Sequence, residues 1–193
     1  MYLVVPGKMK VLIFNGAVER TENSTAKQLS RYLETVLVKL GVETRVFDIS
    51  DYDIPVFEVP MTPVPESVIQ MNQIFREADV HIWLSPLYHG GMTGAMKNCL
   101  DWMEYSSKES VPYLSGKVLG LVCWAHGVQA IQGITAMDAV ARALRAWTAP
   151  LSIPIQRAEL YDDRGNICQK YKERFDLLIQ LLLVGPKGTE QKE

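Results

Sequence analysis

The sequence predicts a three-layer α/β protein, a doubly wound parallel sheet of five strands with helices on both faces. Three observations predict it. Short apolar runs alternate with segments of helical period along all 193 residues. The central runs are apolar at almost every position, as strands covered on both faces must be. Polar or glycine-rich turns follow the first and third runs, where such sheets place their ligand loops.

The first strand is Val11-Leu12-Ile13-Phe14, and the helix after it carries Ala26, Leu29, Leu33, Val36, Leu37 and Leu40 at spacings of three and four. Gly41 ends that helix. Residues 44–49 alternate as a half-exposed second strand, followed by a proline-punctuated loop over 50–63 and a helix that Pro65 opens. Val80-His81-Ile82-Trp83-Leu84 is the third strand. The helix beyond it places Met92, Ala95, Met96, Cys99, Leu100 and Met103 on one face and pairs Lys97 with Asp101. The fourth strand spans 118–124, and its helix presents Ile134, Met137, Val140, Ala141, Leu144 and Trp147. A fifth strand reads Leu151, Ile153, Ile155, and a last helix uses Tyr171, Phe175, Leu178 and Leu182. One domain is expected over 1–193, with its core at about 9–182 and a disordered polar tail over 185–193.

Strand order follows from two details. The second strand alternates, and the fifth contains Pro154, which sheets tolerate almost only at an edge. With those two outermost the order is 2-1-3-4-5, the flavodoxin-like arrangement, whose crevice lies beyond the carboxyl ends of strands one and three.

Composition narrows the function. The chain is 48% apolar, with 20 basic and 22 acidic residues and a net charge of −2, so nucleic acid is not expected as a partner. Three cysteines at 99, 123 and 168 show neither disulfide nor metal spacing, which fits a reduced, cytoplasmic setting. No metal centre is expected around His89 or His126, and His81, inside an apolar strand, reads as a core histidine. The apolar segment within residues 1–8 is too short for a signal peptide, and no run is long enough to span a bilayer. Trp102, Met103 and Tyr105 suit either a subunit interface or burial within the monomer.

Two turns carry the chemistry. Residues 15–25 lead from strand one into a helix N-terminus, where Arg20, Thr21, Asn23, Ser24 and Thr25 could cradle a phosphate. Asn23 or Ser24 could equally be a plain N-cap. Neither GxGxxG nor GxxxxGK[ST] occurs here, so a mononucleotide monophosphate fits better than a dinucleotide or a P-loop ligand. After strand three, Pro86 removes a donor, Tyr88 offers an aromatic face, and Gly90, Gly91 and Gly94 let backbone approach a flat polar ligand.

Ser85-Pro86-Leu87-Tyr88-His89-Gly90, then Gly94-Ala95-Met96-Lys97-Asn98 and Leu100-Asp101-Trp102, together with Asn23-Ser24-Thr25-Ala26-Lys27, resemble the NAD(P)H-dependent FMN reductase family over residues 9 to about 160. The family pattern is Ser-Pro-x-Tyr-Asn-Gly followed by Gly-x-Leu-Lys-Asn-x-Leu-Asp. The resemblance implies an enzyme that binds FMN, its phosphate on Arg20, Asn23, Ser24 and Thr25 and its ring against Pro86, Leu87, Tyr88, His89, Gly90 and Gly91. The far edge of the ring is then implied to lie near Ala125, His126 and Gly127. It also implies hydride transfer from NADPH or NADH to the flavin, with no catalytic side chain, and then ping-pong passage to a flavin, quinone, azo or similar small acceptor. A homodimer or homotetramer is implied as well. His89 replaces the family's asparagine, residues 16–20 lack its Gly-Ser-x-Arg start, and the loop after strand four has fewer glycines and no serine. A flavin-binding electron carrier or regulatory module is the alternative, although the near-balanced charge favours the enzyme. A fold that has lost its cofactor is a third reading, against which Gly90, Gly91 and Gly94 speak.

Overall fold

The computed structural model describes residues 9–60 and 62–185. The expectations for residues 1–8 and for 186–193 lie outside them. Strand β1 (Lys10–Asn15) leads into α1 (Thr25–Lys39), β2 (Glu43–Asp48), α2 (Glu66–Glu77), β3 (Val80–Pro86) and α3 (Gly94–Asp101). The chain continues with β4 (Val118–Ala125), α4 (Ala130–Ala143), the short strands β5 (Trp147–Thr148) and β6 (Ile153–Gln156), and α5 (Gln169–Val184).

All pairings within the sheet are parallel, in the order β2-β1-β3-β4, with β5 and β6 both on the outer side of β4. The order 2-1-3-4-5 therefore holds, except that the fifth strand comes in two pieces. Ala149 still donates to Leu119 O, but Pro150 has no N–H with which to continue. Pairing resumes where Ile153 meets Val122, and Pro154 lies on the open edge opposite Cys123.

Alternate side chains along each strand supply two cores. Leu12, Phe14, Trp83, Leu119, Leu121 and Cys123 pack under α2, α3 and α4. Val11, Ile13, Ile82, Leu84, Val122 and Ile155 pack under α1 and α5. Both faces of the central strands are thus dry, which accounts for their unbroken apolar sequence. His81 is fully buried within this sheet, its Nε2 2.9 Å from Phe75 O, and desolvation lowers its pKa to about 3.

Two helix ends show how local sequence both reveals and conceals a stop. At α1, Val42 N donates to Leu37 O and Gly41 N to Val38 O around a glycine with φ 76°, a Schellman motif with its usual residue. The same two bonds close α4, from Ala146 N to Ala141 O and from Arg145 N to Arg142 O. There the left-handed residue is Arg145, with φ 65°. Trp147, expected on the helix, therefore stands in the edge strand and is 63% exposed. Trp102 and Met103 are buried in the monomer and only Tyr105 is exposed, so the three form no outward patch.

Candidate functional site

The crevice begins with polar residues at the ends of two strands. Asn15 and Asp48, paired in register at the carboxyl ends of β1 and β2, are both buried. Asn15 Nδ2 donates to Asp48 Oδ2 at 2.8 Å, while Asn15 Oδ1 accepts from Ala17 N and Asp48 Oδ1 accepts from Ser50 N and Oγ. These bonds hold the starts of the loops after β1 and β2 against each other. Thr93 ties the first of them to the third: its hydroxyl donates to Gly16 O at 2.5 Å and accepts from Met96 N as the N-cap of α3.

Ser24 is the N-cap of α1, as one reading of the sequence has it, and accepts from Lys27 N. Capping leaves its hydroxyl proton free to donate, so the two readings of this residue are compatible. Ser24 and Thr25 are buried, whereas Asn23 is exposed. Glu22 does not face the cradle. It pairs with Lys27 and Arg31 on the helix surface, and those bonds, Lys27 first, hold its carboxyl below the usual range. Among the described residues, the backbone N–H groups of 18–23 donate to no protein acceptor. A loop of free donors ahead of a 15-residue helix has the chemistry of an anion cradle.

After β3 the chain makes a two-residue hairpin. Tyr88 N donates to Gly91 O and Gly91 N to Tyr88 O, both at 3.0 Å, with φ 47° at His89 and 85° at Gly90. Positive φ at both central residues is the type I′ signature, for which Asn-Gly is the favoured pair. His89 is therefore first a backbone residue in a strained position, exposed at the tip. The turn stands beside α4, near Gln132 and Ala136.

Pro86, Leu87, Tyr88, Ala125 and His126 line one crevice of about 110 Å³ with Val18, Glu19, Trp124 and Arg157. The sheet brings them together: Pro86 sits opposite Trp124 in register, and Leu87 N donates to Trp124 O at 2.8 Å. Of the other expected residues, His89, Gly90 and Gly91 form the turn just described, Asn23, Ser24 and Thr25 lie at the start of α1, and two more line other hollows. Arg20 lines an adjoining groove with Ser50, Tyr52, Asp53 and Asn98, which shares Val18 with the crevice, and Gly127 faces a hollow beside Gln156 and Lys170. Sequence reading missed Glu19, Arg157, Thr93 and the Asn15–Asp48 pair. Asn15 and Asp48 had a readable signal, a polar side chain closing an apolar strand; Arg157 had none.

A parallel sheet in the order 2-1-3-4-5, with a crevice and free backbone donors at the ends of β1, β3 and β4, marks a flavodoxin-like, mononucleotide-binding protein. Residues 9–159 match the family described as NADPH-dependent FMN reductase, and the chain belongs to that family. The description of that family names FMN and NADPH. The chain is 30% identical to "NADPH-dependent FMN reductase ArsH" of Acidithiobacillus ferrooxidans over 159 residues, 82% of this chain and 65% of the relative, so it spans just under two thirds of that protein's length. It is 25% identical to the "FMN-dependent NADPH-azoreductase" of Staphylococcus aureus over 91% of this chain and 92% of that one. Among solved structures, FerB, a flavoenzyme NAD(P)H:(acceptor) oxidoreductase from Paracoccus denitrificans, superposes with a TM-score of 0.71 at 18% identity, covering 90% of this chain and 97% of that one. At that identity the likeness concerns the fold. No helix among the described residues is long and apolar enough to cross a membrane.

Proposed function

We propose that this protein passes electrons from NADPH or NADH, through FMN held in the crevice, to a small acceptor such as a quinone, a free flavin or an azo compound, by a ping-pong cycle. The observation that carries the reading is the convergence of Pro86, Leu87 and Tyr88 with Ala125 and His126 in one open crevice beside the donor-rich loop 18–23. Bound FMN supplies the two-electron chemistry; the chain supplies binding, orientation and electrostatics.

In this reading Ser24 and Thr25, with the first N–H groups of α1, hold the phosphate, and the helix dipole adds to their attraction. Pro86 and Leu87 give the ring an apolar wall. Tyr88, 52% exposed, forms the outer lip where a nicotinamide and then an acceptor would be guided. Arg20 lines the adjoining groove, which shares Val18 with the crevice. Tyr88, Val128 and Ile131 are exposed apolar residues on the loops after β3 and β4 and the first turn of α4. Their exposure supports an assembly of two or four copies that covers them, which sedimentation velocity would test.

The protein is incubated with FMN, desalted and titrated anaerobically with NADPH. Retained flavin absorbance that bleaches at one equivalent, with parallel double-reciprocal lines when nicotinamide and a quinone are varied, is the expected result. Retained flavin that NADPH does not bleach would instead assign the crevice to an electron carrier.

A further inference from the structure

Among the residues lining the crevice, Arg157 is the one permanent cation, and it comes from outside the three ligand loops. It follows β6, whose Gln156 lies in register beside Ala125 of β4. Its backbone is anchored, because Arg157 O accepts from Leu160 N at 3.2 Å in a turn closed by the fully buried Leu160. Among the described residues its guanidinium has no carboxylate partner and no hydrogen-bond acceptor. The carboxylate of the crevice, Glu19, accepts from Thr21 Oγ1 at 3.1 Å and forms no ion pair with Arg157. An unpaired guanidinium on the residue that lines the crevice with Trp124, Ala125 and His126 is available to a ligand there.

Resting on the flavin reading above, we propose that Arg157 is a redox-tuning residue that binds the reduced flavin more tightly than the oxidised flavin. Hydride transfer takes two electrons and one proton from the nicotinamide, leaving it oxidised, and gives them to the flavin, which then carries one more negative charge than before. That charge falls on the pyrimidine side of the ring system, which in this proposal lies beside Ala125 and His126. A cation carried on an anchored backbone beside the loop after β4 stabilises the charge as it forms. The phosphate is served separately by the α1 N-terminus, so Arg157 acts on the ring and not on the tail.

The test compares wild type with Arg157→Met and Arg157→Lys, measuring the midpoint potential of bound FMN and the dissociation constants of oxidised FMN and of riboflavin, which has no phosphate. Arg157→Met is expected to bind reduced flavin about tenfold less tightly relative to oxidised flavin, which lowers the two-electron potential by about 30 mV. Oxidised FMN and riboflavin should weaken equally, by less than about threefold for so exposed a cation. Arg157→Lys, keeping the charge, should restore most of the potential. An unchanged potential in Arg157→Met overturns the proposal. So does a variant that loses affinity for FMN and not for riboflavin, since that would make Arg157 a phosphate ligand. If wild type itself retains neither compound, the flavin reading of the crevice fails, and the proposal with it, a result distinct from both.

Discussion

Replacing Gly16 by alanine tests whether the first ligand loop and α3 are built as one unit. A Cβ at position 16 would lie 2.6 Å from Met96 Sδ, 2.7 Å from Met96 Cγ and 2.7 Å from Met96 Cβ. Sulfur and Cγ can swing aside by a change of rotamer; Cβ is fixed to the backbone of α3, so the helix or the loop must move. Either movement stretches the bond from Thr93 Oγ1 to Gly16 O and loosens the α3 N-cap. Overpacking of this kind costs about 1–3 kcal/mol, and the reduced entropy of the unfolded alanine chain offsets about 0.4–1 kcal/mol. A net loss of about 1–2 kcal/mol lowers Tm by about 2–8 °C for a domain of this size. Met96→Ala alone should destabilise by about 2–5 kcal/mol through its cavity. In the double variant two of the three close contacts vanish, so the losses should fall short of additive by about 1 kcal/mol. Thermal unfolding followed by circular dichroism measures all four proteins. A Gly16→Ala protein that melts with wild type, or strict additivity in the double variant, would refute the packing argument.

Three further predictions concern single side chains. His89 sits at φ 47° in a type I′ turn, so His89→Asn should keep FMN affinity and raise Tm slightly, while His89→Val should weaken flavin retention; equal retention by both would show that turn geometry does not position the ligand. His81 has its folded pKa depressed to about 3, below the unfolded value, so the unfolded chain binds more protons between those two pH values. Stability should therefore be complete above about pH 6.5 and fall by up to about 1.4 kcal/mol per unit as pH drops below it. His81→Leu should flatten that limb of a urea-denaturation pH series, and an unchanged slope would assign the acid sensitivity elsewhere. Burial pushes the Cys99 and Cys123 thiols up to about 12, whereas Cys168 is half-exposed. Iodoacetamide at pH 8 should then alkylate Cys168 alone in the native protein; rapid labelling at Cys99 or Cys123 would mean that the core under α3 or α4 opens.

The sequence by itself determined whatever depends on short-range chemistry. Unbroken apolar runs identified the central strands, because a strand covered on both faces admits no polar side chain except one with a dedicated partner, as His81 has in Phe75 O. Pro154 located an edge through its missing N–H. Gly41 marked a helix end, and Pro86 to Gly91 marked a turn, since proline and glycine constrain the backbone locally. Arg145 and Pro150 escaped the same reading. One closes a Schellman motif without its customary glycine, and the other divides an edge strand whose apolar pattern reads as continuous.

Tertiary structure decided which residues share the crevice. Asn15 reaches Asp48 across 33 positions and Thr93 reaches Gly16 across 77, and nothing at either end of such a pair announces the other. Arg157 lines the crevice because β6 is in register with β4, while Arg20 lines an adjoining groove that shares Val18 with it. Turn chemistry and apolar period are encoded within a few neighbouring residues. The charges around a ligand are set by strand order and register, which exist only once the whole sheet has formed.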